Sequence, residues 1–83
     1  PLTKNEYRIL LALLQSKGRV VSREKLMERL WQTDSFVDEN TLTVNVNRLR
    51  KKLTAENEQD PIETKRGVGY AWTLKAEDMY DEI

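Results

Sequence analysis

Two periodicities of apolar and polar residues overlap in the segment from Asn40 to Leu53. Between Thr41 and Asn47 the two kinds of residue alternate, which is typical of a half-buried strand. The spacing i, i+4, i+7, i+11 of one helix face is present in Leu42, Val46, Leu49 and Leu53. We favour the helix, because it accounts for all four residues and because basic residues gather toward the C-terminal end of the segment, where the helix dipole favours them.

The side of this helix that faces away from the apolar residues has a distinct composition. Placed at about 100° per residue, the four apolar residues fall within about 60° of one another. The opposite side carries Asn40, Val44, Asn47, Arg48 and Lys51, with Thr41 at its edge. Asparagine can pair with adenine, arginine with guanine, and an aliphatic group can meet a thymine methyl. These are the residue types of a helix that lies in the major groove of DNA.

An earlier helix has clear start and stop signals. It begins with a capping box, in which Thr3 is the N-cap and Glu6 the N3 residue, and with a hydrophobic staple between Leu2 and Tyr7. It should end at Gly18, a residue suited to the left-handed conformation that follows many helices. Because it is apolar around much of its circumference, we expect it to be the buried centre of the domain.

A second helix is expected from Arg23 to about Trp31, with Ser22 as its N-cap. It follows a short β-like run from Arg19 to Val21. Its inward-facing residues are expected to be Leu26, Met27 and Leu30.

The connection to the third helix runs from Gln32 to Asp38 and is too long for a tight turn. We expect Phe36 and Val37 to pin this connection to the core. A cap at Asp38 or Asn40 would then start the third helix.

The C-terminal part of the pattern predicts a polar loop from Thr54 to Pro61 and then a hairpin with strands at 62–66 and 70–74. Gly67 and Gly69 lie between the strands and are expected to supply the positive φ of the turn. The order of elements predicts a mainly α winged helix-turn-helix with three helices, in which the hairpin is the wing. The residues expected to serve the core only are Leu10, Leu14, Leu26, Leu30, Leu42, Val46, Leu49 and Trp72.

The net charge of zero conceals an uneven distribution. Residues 76–83 hold four acids and no base, so that residues 1–75 carry fourteen bases against ten acids, a net charge of +4. We assign residues 1–75 to the winged-helix domain and residues 76–83 to a flexible acidic tail. A local basic patch attracts nucleic acid whatever the total charge, although a basic helix end is equally compatible with a plain solvated face.

The absence of cysteine and histidine limits the chemistry of this chain. It leaves no disulfide framework, no thiolate metal site and no histidine base, so we expect no cofactor, no metal and no enzymatic activity. No apolar run is long enough to cross a membrane, and no signal-peptide pattern opens the chain. These features predict a cytoplasmic protein or fragment that does not bind membranes.

Four motifs in order carry a resemblance to a known family. They are Leu2-Thr3-x-x-Glu6, Val21-Ser22-Arg23-x-x-Leu26 continuing to Leu30-Trp31, Val44-Asn45-Val46-x-Arg48-Leu49-Arg50-Lys51-Lys52-Leu53, and Ile62-x-Thr64-x-Arg66-Gly67-x-Gly69-Tyr70. Together they resemble the C-terminal effector domain of OmpR/PhoB-type response regulators, the transcription factors of bacterial two-component systems. The segment 37–46 is most similar to the subgroup that responds to cell-envelope-active antimicrobial peptides. In the family a four-stranded sheet and a receiver domain precede the first helix, so we expect this chain to be a fragment.

The resemblance implies sequence-specific binding to double-stranded DNA and adds roles to the outward face of the third helix. Arg48 matches a family position that contacts bases, with Asn47 and Val44 beside it. Val44 would instead be buried if the helix phase differed from the one inferred above. Arg50 and Lys51 flank this face and are expected to contact phosphates.

Other predicted contacts lie at the start of the third helix and at the end of the second. Asn40 and Thr41 are placed to bond phosphate through side chains and free backbone N–H groups, and capping explains them equally well. Trp31 resembles a family tryptophan whose indole N–H reaches a phosphate, yet it is also a natural core anchor.

The wing is expected to contact the minor groove. By resemblance, Arg66 enters that groove, where narrow A·T-rich segments attract arginine. Thr64, Lys65 and Tyr70 are implied as backbone or groove-edge contacts, and Tyr70 could instead be a packing residue of the hairpin.

The resemblance also implies partners. Family members usually bind direct repeats as head-to-tail pairs, and the connection at 32–38 corresponds to the family's contact with RNA polymerase. A receiver domain and an upstream sensor kinase would complete the full-length protein. The alternative function, which the near-zero net charge favours, is a winged helix used for protein–protein contact, and an enzyme is a distant third.

Overall fold

The computed structural model describes residues 1–32 and 36–74. Within these residues the chain forms three helices and three short strands. They are α1 (Lys4–Gln15), β1 (Val21–Ser22), α2 (Arg23–Trp31), α3 (Glu39–Asn57), β2 (Ile62–Lys65) and β3 (Gly69–Trp72). The winged helix-turn-helix that the sequence predicts is confirmed, since α2 and α3 follow one another and a β-hairpin comes after them. We call residues 62–72, which comprise β2, β3 and their turn, the wing.

Helix α1 begins as the sequence predicts. The Thr3 hydroxyl accepts the backbone N–H of Glu6 at 3.2 Å, and the Glu6 carboxylate accepts the backbone N–H of Thr3 at 3.0 Å. This capping box satisfies two of the N–H groups that a helix start leaves without partners. The helix ends at Gln15, and Gly18 has the left-handed φ of 88° that was expected of it.

Helix α3 is longer than predicted, because it continues to Asn57 instead of giving way to a loop at Thr54. The chain offers neither glycine nor proline there, and Glu58 ends the helix in the left-handed conformation with a φ of 61°. The extra turn leaves the basic residues in the middle of the helix, and the last turn contains none. The dipole argument for the helical interpretation was therefore wrong, whereas the periodicity argument was right.

The sheet contains one more strand than the predicted hairpin. Its order is β1-β3-β2, and both pairings are antiparallel. Strand β1 lies at Val21–Ser22 and pairs Val21 with Tyr70 and Ser22 with Gly69. A Cβ atom on Gly69 would lie 1.9 Å from the carbonyl oxygen of Val21. Gly69 is thus required by the close approach of β1, and only Gly67, with a φ of 72°, supplies the positive φ of the turn.

The core lies where the three helices meet the sheet. Helices α1, α2 and α3 bury Ile9, Leu13, Leu26, Leu30, Leu42, Val46 and Leu49, and the sheet adds Val21, Ile62, Tyr70 and Trp72. Six of the eight residues predicted to serve the core are buried, while Leu10 and Leu14 are only partly buried. Tyr7, the expected staple partner of Leu2, is largely exposed.

The connection before α3 departs from expectation at one residue. Val37 packs against the core as predicted, but the Phe36 side chain is 89% exposed and does not pin the connection. Residues 33–35 of this connection lie outside the described residues. At the start of α3, the Asp38 carboxylate is the N-cap and accepts the backbone N–H of Thr41 at 2.7 Å.

An ion pair between the buried Glu6 and the partly exposed Lys52 joins the first and third helices. The side chain of Glu6 is 1% exposed, and its Oε1 atom accepts a hydrogen bond from the Lys52 ammonium at 2.6 Å. Burial alone would raise the pKa of the Glu6 carboxyl, but the hydrogen bonds and charge of Lys52 and the backbone of Thr3 outweigh it and hold the pKa below its ordinary value.

Candidate nucleic-acid interface

The outward face of α3 has the residues and the orientation that the helical phase predicts. Leu42, Val46 and Leu49 are fully buried on the inner side of the helix, whereas Val44 is 38% exposed on the other. The outward residues that are exposed with it are Asn40, Asn47, Arg48 and Lys51. We call these five residues the reader face.

Three side chains of the reader face are available for external contacts. Among the described residues, the side chains of Asn47, Arg48 and Lys51 take part in no hydrogen bond or ion pair. An exposed arginine or asparagine in this state can use its full set of donors on a partner. The face therefore combines one aliphatic side chain with two cations and two amides in a continuous stripe.

The first turn of α3 is occupied by its own cap. Asp38 Oδ1 accepts both the backbone N–H and the hydroxyl of Thr41, at 2.7 and 2.8 Å. The hydrogen bond from the Thr41 backbone, followed by that from its side chain, keeps the pKa of Asp38 below its ordinary value. Of the two explanations offered for Thr41, capping is the one that these contacts display.

Arg50 lies beside the reader face but turns toward the wing. Its Nε atom lies 3.0 Å from Asp60 Oδ2, and its terminal nitrogens donate to the Thr64 hydroxyl at 2.8 Å and to the Ile62 carbonyl at 2.6 Å. These three contacts tie the middle of α3 to β2. They also occupy much of the guanidinium that the sequence placed at a phosphate.

The wing presents one uncommitted cation at its turn. Arg66 is exposed directly before Gly67, and it takes part in no hydrogen bond or ion pair within the described part of the chain. Lys65 is paired with Glu63 at 3.0 Å, and the Thr64 hydroxyl accepts from Arg50. Arg66 is thus the side chain of the wing that is best placed to reach a partner.

Two predicted aromatic contacts have different environments. Trp31, the last residue of α2, is 55% exposed and so is not the buried anchor that was its alternative interpretation. Tyr70 is buried in β3, and its hydroxyl accepts a hydrogen bond from Arg23 at 3.0 Å. Both placements describe the isolated chain and leave the proposed contacts as predictions.

Sequence reasoning overlooked Arg23, the first residue of α2. Its guanidinium lies 5.8 Å from the centre of the Tyr70 ring and also donates to the Thr43 hydroxyl at 2.9 Å and to the Glu39 carbonyl at 3.2 Å. The available signal was the Ser22-Arg23 motif, which indicates a helix start and contributes to the family resemblance but predicts no contact of the Arg23 side chain. Nothing in the periodicity of this segment indicates that a first-turn arginine spans three elements.

The described residues contain no cluster of acidic, histidine or cysteine side chains that could hold a metal ion. No helix among them is long and apolar enough to cross a membrane.

The fold and the reader face define a winged helix-turn-helix domain whose third helix is exposed beside its wing. The family of transcriptional regulatory protein C-terminal domains matches residues 1–72. The chain belongs to this family, and the resemblance to OmpR/PhoB-type response regulators is confirmed.

Three relatives illustrate the match. The sensory transduction protein BceR of Bacillus subtilis (strain 168) is 54% identical over 79 residues, which cover 95% of this chain and 33% of BceR. The C-terminal domain of NsrR, a lantibiotic response regulator of nisin resistance, is 49% identical with a TM-score of 0.76, over 89% of this chain and 75% of that one. The AdeR DNA-binding domain, solved in complex with an intercistronic region, is 31% identical with a TM-score of 0.77, over 90% of this chain and 77% of that one. The chain spans about one third of the length of the full-length relatives that it matches.

Proposed function

We propose that this chain is the sequence-specific, double-stranded-DNA-binding effector domain of a two-component response regulator, and that it carries out no chemistry itself. The observation that carries the proposal is the reader face, where the side chains of Asn47, Arg48 and Lys51 have no partner among the described residues. They lie opposite the buried residues Leu42, Val46 and Leu49. Their donors are therefore free to bind an external partner. The AdeR domain, which shares the fold, is bound to DNA in its structure.

In this proposal α3 lies in the major groove. Arg48 reads guanine through a pair of hydrogen bonds, Asn47 reads adenine, and Val44 meets a thymine methyl. Arg66 enters the neighbouring minor groove, where narrow segments concentrate negative potential.

In this proposal, phosphate contacts come from residues around the reader face of α3 and around Arg66 of the wing. We assign them to Trp31, Asn40, Thr41, Lys51, Thr64, Lys65 and Tyr70, and to Arg50 only through the donors that its internal contacts leave unused. Lys51 is the strongest of these assignments because its ammonium is exposed and unpaired among the described residues.

The partners of the whole protein follow from its relatives. We propose a receiver domain and a sensor kinase upstream, binding to direct repeats as head-to-tail pairs, and an inducing signal from cell-envelope-active antimicrobial peptides. Support for the signal comes from NsrR, which is described as a lantibiotic response regulator. A contact with RNA polymerase through residues 32–38 is proposed as well, on the ground of the family resemblance.

A protein–protein module remains the second candidate, favoured by the net charge of zero. Salt dependence separates the two. We expect the affinity for a duplex, selected by this protein from a random library, to fall by orders of magnitude between about 50 and about 200 mM salt, because several phosphate contacts release counterions. If no duplex is enriched, or if affinity is nearly independent of salt, the proposal is wrong and the protein–protein module takes its place.

A further inference from the structure

The reader helix and the wing have few direct backbone contacts. Helix α3 packs closely against α1 and α2, and the close helical neighbours of the sheet are α1, through β3, and α2, through β1. The relative position of α3 and the wing depends on the shared core, to which the wing contributes Ile62, Tyr70 and Trp72, and on the polar side chains that bridge them. Two arginines do so, one near each end of the region that the proposed function assigns to DNA.

Arg23 bridges the first turn of α3 to β3. Its guanidinium donates to the Tyr70 hydroxyl at 3.0 Å on one side and to the Thr43 hydroxyl and the Glu39 carbonyl on the other. Its backbone N–H also donates to the carbonyl of Val68 in the wing turn at 3.1 Å. A planar guanidinium holds several acceptors in fixed directions, which a lysine ammonium cannot do.

Arg50 bridges the middle of α3 to β2. Its donors reach Asp60 just before the strand, the Ile62 carbonyl at the start of the strand, and the Thr64 hydroxyl within it. Arg23, which lies on α2, thus links the start of α3 to β3, whereas Arg50, which lies on α3 itself, links the middle of that helix to β2. Both side chains are mostly buried, with about a fifth of their surface exposed.

We propose that Arg23 and Arg50 are positioning residues, which fix the wing relative to α3 so that Arg48 and Arg66 reach adjacent grooves at the same time. The inference rests on the proposed function for its consequence, but its structural half can be measured without DNA. Neither arginine needs to touch a base or a phosphate for this role. The role is set by the contacts within the chain.

The structural half is tested by residual dipolar couplings of backbone amides in the free protein. In the wild type, couplings from α3 and from the wing should fit one alignment tensor. Arg23→Met and Arg50→Met, which keep an aliphatic stem but remove the guanidinium, should each require separate tensors for the two parts. Arg19→Met, which removes an equal charge from an exposed arginine, should behave as the wild type. A single tensor for a folded Arg23→Met and a folded Arg50→Met overturns the inference.

Milder variants keep the test decisive if a methionine variant fails to fold. Thr43→Val removes one acceptor of Arg23, and Asp60→Asn removes the charge that Arg50 meets. Both should loosen the wing in the same measurement, to a smaller degree. Wild-type couplings in both of these variants would likewise contradict the inference.

The functional half is tested by a double-mutant cycle on the selected duplex. We expect Arg66→Ala to weaken binding about tenfold in the wild type and less than about threefold in the Arg23→Met background, since a displaced wing has lost most of its contact. Arg23 is assigned no phosphate contact, so the dependence of binding on salt in Arg23→Met should be no weaker than in Arg66→Ala. Additive losses, or a further fall in slope of about 0.9 from a lost phosphate contact, would overturn the positioning role.

If the wild type enriches no duplex while the couplings behave as expected, the proposed function fails and the positioning of the wing stands.

Discussion

At the residue scale, the two glycines of the wing are required for different physical reasons. Gly67 has a φ of 72° and open space where a Cβ would lie, so its conformation is what matters. Gly69 lies in a strand, and its Cβ would collide with the Val21 backbone of the neighbouring strand. The sequence suggested one role for both glycines, because the pairing of β1 with β3 joins residues that are far apart along the chain.

Gly69→Ala should therefore destabilise the domain more than a change at Gly67. The new methyl would meet a backbone atom that cannot rotate away, and the resulting shift of β1 should cost about 1–3 kcal/mol or more. Gly67→Asn, the matched control, should cost less than about 1 kcal/mol, because asparagine tolerates the left-handed region. Urea unfolding would measure both, and equal losses at the two positions would contradict the explanation given for Gly69.

At the scale of elements, α3 shows which features periodicity predicts and which it misses. The spacing of Leu42, Val46 and Leu49 was sufficient to orient the helix and to place Val44 outside. The end of the helix was missed because residues 54–57 are mostly polar, as in a loop, but include no residue that stops a helix. The termination depends instead on Glu58, which adopts a left-handed conformation without being glycine.

Glu58→Gly should stabilise the domain. The wild-type residue bears the cost of a left-handed φ, which for residues other than glycine is about 1–2 kcal/mol, and the gain is reduced by the greater freedom of glycine in the unfolded chain. We expect a net gain of up to about 1 kcal/mol in the free energy of unfolding. Glu56→Gly, inside the helix, should be destabilising by about 1 kcal/mol, and a loss at both positions would show that the left-handed end of α3 is not strained.

At the scale of the whole molecule, most of the core and the order of helices and hairpin follow from the pattern of apolar residues, but the pairing of β1 with β3 and the polar links between elements do not. The pairing of Glu6 with Lys52 joins residues 46 positions apart, and Arg23 reaches 47 positions along the chain to Tyr70. Sequence spacing contains no signal for such pairs. The reader face was predictable because it lies on one helix. The contacts of Arg23 and Arg50, which are proposed to position the wing, join separate elements and were not predictable.

The Glu6–Lys52 pair should make the free energy of unfolding depend on pH in the acidic range. Because the pKa of Glu6 is lower in the folded protein than its ordinary value, its contribution is fully present above the unfolded pKa of about 4.3. The contribution is lost as the pH falls through the folded pKa. Chemical unfolding from pH 7 to pH 3 should show a decline below about pH 4.5 that is smaller in Glu6→Gln. An equal decline in wild type and variant would contradict the role given to this pair.

The central claim, that the outward face of α3 reads DNA sequence, is tested most directly by the affinity of Arg48→Ala for two duplexes. One is the duplex selected by the wild type, and the other is a scrambled duplex of the same composition. We expect a loss of about 1–3 kcal/mol on the selected duplex and a much smaller loss on the scrambled one, because a base contact carries discrimination. Lys51→Ala, which removes a phosphate contact, should weaken binding to both duplexes about equally. Wild-type affinity of Arg48→Ala for the selected duplex, or an equal loss on both duplexes, would contradict the claim.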